Sequence, residues 1–115
     1  MLRYTDVLQV GGERARSVEQ QAGGTHADEV ETSMMLYIDP TRVDMSKAVC
    51  DYHPGHGPLT RKADGAGVFS ASGVYGDATL ATREKGAVVV EAMIEGMLRD
   101  IDALRALPLS RLDAA

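Results

Sequence analysis

The last third of the chain constrains the fold most. Val90, Met93, Ile94, Met97, Ile101 and Leu104 recur at spacings of three and four, the stripe of an amphipathic helix whose apolar side must be covered. Asp77 or Thr79 is placed to cap this helix and Pro108 to end it, so the pattern predicts one long element over 79–107. Gly86 and Gly96 fall inside it. Each costs about 1 kcal/mol relative to Ala in a helix interior, so close packing against a neighbour is what would require them. The Met positions on the stripe read as core packing.

A second helix is expected over 25–38. Thr25 with Asp28 three residues on resembles a capping box, with Asp in place of the usual Glu or Gln. Asp28, Glu29 and Glu31 put negative charge in the first turns, where the helix dipole favours it. The run Ser33-Met34-Met35-Leu36-Tyr37-Ile38 is nearly all apolar and predicts burial on most sides. Asp39-Pro40 stops it, because the residue before a proline is pushed out of the α region. Ahead of this helix, Tyr4 to Val10 alternates loosely and reads as a strand closed by Gly11-Gly12, followed by a surface loop or irregular helix to Gly24. Residues 39–78 are mostly irregular, with room for a short strand between Val68 and Tyr75. An irregular connection this long inside a compact domain is functional or belongs to something larger.

The 115 residues make one domain at most, 1–115. At 44% hydrophobic and 25% charged residues the composition is that of a globular protein rather than a disordered one. The net charge of −5, with 12 basic against 17 acidic residues and the basic ones scattered along the chain, argues against the clustered basic surface that nucleic acid requires. The single Cys50 excludes an intramolecular disulfide and fits a reducing compartment. No stretch approaches the roughly 18 apolar residues of a membrane span, and the N-terminus lacks a secretory signal. The expected location is cytoplasmic, with no membrane partner.

Chemistry concentrates at the start of the 25–38 helix, where His26, Asp28, Glu29 and Glu31 stand together. Imidazole and carboxylate are the ordinary ligand set for zinc, iron and manganese. On an ideal helix His26 and Glu31 would diverge by about 140°; they converge only if His26 precedes the helix. From the residues alone, a dipole-matched acidic helix start with an incidental histidine is the stronger reading. His53 and His56, in a Pro/Gly loop, are two donors without a third and read as solvated.

The segment His26-Ala27-Asp28-Glu29-Val30-Glu31-Thr32-Ser33 resembles the His-Ala-Gly-Glu-x-Glu-Thr-Ser segment of the creatininase (creatinine amidohydrolase) family. Gly73-Val74-Tyr75-Gly76-Asp77-Ala78-Thr79-Leu80-Ala81-Thr82-Arg83-Glu84-Lys85-Gly86 is similar to its Gly-Val-x-Gly-Asp-Pro-x-x-Ala-Thr-x-x-Lys-Gly segment. The resemblance covers residues 20–107 and implies an α/β, three-layer fold with a mainly parallel sheet flanked by helices, in homo-oligomers that are often hexameric. It implies a metal-dependent amidohydrolase (Zn, Mn or Fe) acting on a C–N bond of a small cyclic or linear amide. His26 would bind substrate and carry the proton to the leaving nitrogen, and Glu31 would ligate the metal. The family's N-terminal Glu-x-His cluster and its Asn-Gly-His loop have no counterpart here. The chain therefore reads as the C-terminal half of a member, inactive alone and partnered by the missing half or by other copies. The alternative is a non-catalytic assembly fragment that keeps the family's packing surface.

Overall fold

A computed structural model describes residues 4–108, so residues 1–3 and 109–115 of the expected domain lie outside the described part. Three helices form its frame: α1 (Val7–Val18), α2 (Glu29–Ile38) and α3 (Arg83–Arg105). α3 is the common partner, packing on both α1 and α2. Four two-residue strands lie in the long connection: β1 (Cys50–Asp51), β2 (Leu59–Thr60), β3 (Val68–Phe69) and β4 (Gly76–Asp77). β1 pairs antiparallel with β4, and β2 pairs parallel with β3. Among the described residues the mixed helix-and-strand architecture agrees with an α/β class, but these pairs are not a mainly parallel central sheet.

The expected strand over Tyr4–Val10 does not form, and the chain is helical from Val7 on. Asp6 turns the chain in, its carboxylate accepting from the Gln9 amide at 3.1 Å and its carbonyl from the Val10 amide at 3.1 Å. Gly11 does not close a strand. It lets α1 settle on α3, because a Cβ there would lie 2.6 Å from Met93 Cγ. The loose alternation lost to this contact, an override of local preference by packing.

α2 is capped by Asp28 rather than Thr25. The Asp28 side chain accepts from the amides of Val30 and Glu31, both at 3.0 Å, which satisfies two of the orphan donors of the first turn. The Glu31 carboxylate reaches back to the amide of Ala27, the residue before the cap, at 2.6 Å, so the cap lies three residues beyond the expected one and its return bond bypasses the cap residue itself. Asp39 ends α2 ahead of Pro40 as expected. Burial on most sides does not hold: Met35 is 42% and Ile38 60% exposed. α2 buries instead the side bearing Glu29 and Ser33, both 0% exposed.

Asp77 caps only a short 3-10 turn, Ala78–Leu80, and Thr82 caps α3 through the Lys85 amide at 3.2 Å. The two glycines of α3 serve close packing as their cost implies. A Cβ at Gly86 would lie 1.8 Å from the Ser33 carbonyl oxygen, and one at Gly96 2.4 Å from Val10 Cγ1. The buried apolar residues are small, Val68, Ala78, Ala81, Val89 and Ala92, while Ile94, Leu98, Ile101 and Leu104 along α3 stay 38–55% exposed. The radius of gyration is 18.0 Å, against about 13 Å for a compact domain of 100 residues. No helix among the described residues is long and apolar enough to cross a membrane.

Candidate functional site

The two motif segments interlock at the start of α2. His26 forms an isolated antiparallel bridge with Tyr75, donating its amide to the Tyr75 carbonyl at 3.3 Å and accepting the Tyr75 amide at 2.8 Å. Gly24 (φ +154°) and Gly76 (φ +146°) allow the approach. A Cβ on Gly24 would sit 2.5 Å from Gly76 Cα, and one on Gly76 2.5 Å from Asp28 Cβ. Gln21 ties the segments further: its carbonyl oxygen accepts from the Asp77 amide at 2.9 Å and the Glu29 amide at 3.2 Å, while its amide nitrogen donates to Asp28 at 2.8 Å.

Behind this bridge lies a buried ion pair. Lys85 Nζ meets Glu29 Oε1 at 2.6 Å and also donates to Gln20 Oε1 and the Leu80 carbonyl, both at 2.8 Å. Glu29 Oε2 accepts from the Gln20 amide at 2.8 Å and the Gln21 amide at 2.7 Å. Ser33 donates to the Glu29 carbonyl at 2.5 Å and accepts from the Thr82 amide at 3.1 Å. Glu29, Ser33, Thr82, Lys85 and Gly86 therefore bolt α2 to α3. This role of Lys85 escaped the sequence reading, since 56 residues separate it from Glu29 and only the second motif marked it.

His26 itself is exposed and lines an open cleft of about 730 Å³ whose walls include Arg61, Phe69, Ser70, Ser72 and Tyr75. The Tyr75 hydroxyl donates to the His53 carbonyl at 3.2 Å, and its ring lies 5.1 Å from that of Tyr52. Asp51 anchors the cleft's serine loop: its carboxylate accepts from Ser72 Oγ at 2.6 Å and Ser70 Oγ at 3.0 Å. The Ser72 and Ser70 hydroxyls hold the Asp51 carboxyl below its ordinary range, with a smaller contribution from His53, whose Nε2 lies 3.2 Å away. The Cys50 thiol is pushed above its usual range, by desolvation first and then by the neighbouring Asp77. The cleft is assembled from three separated segments, so spacing along the chain does not bring Arg61 and Tyr75 to His26.

Glu31 opens elsewhere, on a hollow lined by Ala27, Met35, Arg42, Val43 and Asp44. The two sequence-expected residues are thus not brought into one pocket: His26 precedes the helix, as convergence required, yet faces the cleft while Glu31 does not line it. Among the described residues no three His, Cys, Asp or Glu side chains gather to hold a metal. Asp28 caps α2, Glu29 is bound by Lys85, and Glu31 is held by the Ala27 amide. The described donors do not fit the zinc, manganese or iron that the family resemblance implied.

The creatininase family model, described as creatinine amidohydrolase, matches residues 1–101. The chain belongs to that family. Its class is accordingly that of the amidohydrolases, a family generally dependent on metal. The match starts at residue 1, ahead of the 20–107 covered by the motifs, and the narrower reading as a C-terminal half is not borne out. No curated protein and no solved structure matches the chain.

Proposed function

We propose that this chain supplies the amide-binding histidine of an amidohydrolase acting on the C–N bond of a small cyclic or linear amide. The observation that carries the reading is the position of His26: a family-motif imidazole, pinned through its backbone to the second motif at Tyr75, and exposed in an open cleft. In hydrolysis, water oxygen adds to the carbonyl carbon and the C–N bond breaks. His26 binds the amide and delivers a proton to the departing nitrogen, a contribution of about 10²–10⁴ in rate. Glu31 is held by the Ala27 amide, and no donor set for a metal gathers around it among the described residues. The chain alone is accordingly inactive. Its one unpaired cysteine suits a reducing, cytoplasmic setting.

The test is titration of the purified chain with creatinine and formamide, followed by the His26 ring resonances and by product release with Zn, Mn or Fe added. Perturbation of His26 without turnover is expected. Turnover abolished by His26→Ala would overturn the inactivity, and an indifferent His26 ring would overturn the substrate role. The exposed Ile94, Leu98, Ile101 and Leu104 favour a second reading, a non-catalytic assembly fragment. That reading requires concentration-dependent association in sedimentation together with silence of His26 towards amides.

A further inference from the structure

Resting on the reading of the His26 cleft as the amide site, we propose that its substrate carries an anionic group, carboxylate or phosphate, recognised by Arg61. The chain as a whole is acidic, with a net charge of −5, yet no carboxylate lines this cleft. Its ionisable lining consists of Arg61, His26 and the Tyr75 phenol, alongside the Ser70 and Ser72 hydroxyls. Arg42 and Lys47 lie 3.6 Å from Asp39 and Asp44, Lys85 is held by Glu29, and Arg83 stacks 5.2 Å over the Tyr37 ring. Among the described residues Arg61 has no such partner, so its guanidinium stays available to a ligand.

Asp51 does not itself line the cleft; its carboxylate accepts from the Ser70 and Ser72 hydroxyls of the wall and lies beside His53. A guanidinium presents a planar fork of donors that matches carboxylate or phosphate oxygens. Leu59 and Phe69, 40% and 37% exposed, form the apolar wall on which a flat ring can rest. The three features sort a ligand: a ring against Leu59 and Phe69, an amide at His26, and an anion at Arg61. Because Arg61 is exposed, its contribution is modest and screened by salt.

The experiment compares two lactams that differ by one carboxylate, 5-oxoproline and 2-pyrrolidinone. Binding to the full chain is read from the amide resonances of Arg61 and Ser70 and the His26 ring. We expect 5-oxoproline to bind about 3- to 10-fold tighter, with the preference abolished in Arg61→Gln, partly retained in Arg61→Lys, and shrinking as salt rises. Inorganic phosphate that displaces 5-oxoproline at these resonances extends the anion to phosphate; failure to displace it keeps carboxylate as the source. Equal binding of the two lactams to the wild type would overturn the role of Arg61 while leaving His26 as the amide-binding group. Silence of the His26 ring towards both lactams would overturn the two readings together.

Discussion

Replacing Lys85 by Met removes the only ammonium that touches the buried Glu29 carboxylate among the described residues, and leaves a side chain that is 1% exposed without its counter-charge. Breaking a buried ion pair from one side costs about 3–5 kcal/mol, because the remaining charge keeps its desolvation penalty and loses its compensation. The Gln20 and Gln21 amides still reach Glu29 Oε2, which places the expected loss near 3 rather than 5 kcal/mol. A chain of this size holds about 6–17 kcal/mol in total, so the variant forfeits a large share and its Tm falls by roughly 12 °C. The reverse change is gentler. In Glu29→Gln the amide oxygen can still accept from the two backbone amides, and Lys85, 16% exposed, can turn its ammonium to water, so about 1–3 kcal/mol is expected. The double variant removes both charges and should lose at least 1.5 kcal/mol less than the sum of the single losses, roughly the coupling of a contacting pair. Urea unfolding of the four proteins, compared at constant m, measures all three quantities. A Lys85→Met loss below about 1 kcal/mol, or strict additivity in the cycle, would refute the claim that this pair holds α2 to α3.

Other parts of the same frame give sharper contrasts. Gly86→Ala should cost about 2–4 kcal/mol by the same unfolding assay, since its Cβ would meet the Ser33 carbonyl at 1.8 Å and the two helices must part. Ala27 sits at φ +47°, the left-handed region, so Ala27→Gly should raise stability by up to about 1 kcal/mol while leaving the Ala27 amide on Glu31. Asp51 has a folded pKa depressed by Ser72 and then Ser70, so its tethering of the serine loop is fully present above the unfolded carboxylate value of about 3.9 and is lost as pH falls through the lower folded value. A carboxyl-carbon titration should show this, and Ser72→Ala should move the midpoint upward.

Sequence alone determined what is local or periodic: α3 from its three-and-four stripe, the end of α2 at Asp39-Pro40, the helix-terminal role of Asp28, and the family through two linear motifs. It also marked Gly86 and Gly96 as close-packing positions, because a glycine inside a helix must be compensated somewhere. Tertiary structure decided what depends on distant partners. Tyr4–Val10 alternates weakly enough for either conformation, and contact with Met93 and Gly96 makes the segment from Val7 helical. Which acidic residue of the motif is buried, Glu29 or Glu31, rests on a lysine 56 positions away. The cleft gathers His26, Arg61 and Tyr75 from three segments with no shared periodicity, and His26 and Glu31 part because the chain turns through Ala27 before the helix begins. Spacing along a chain reports direction only within one regular element, and the site lies across several.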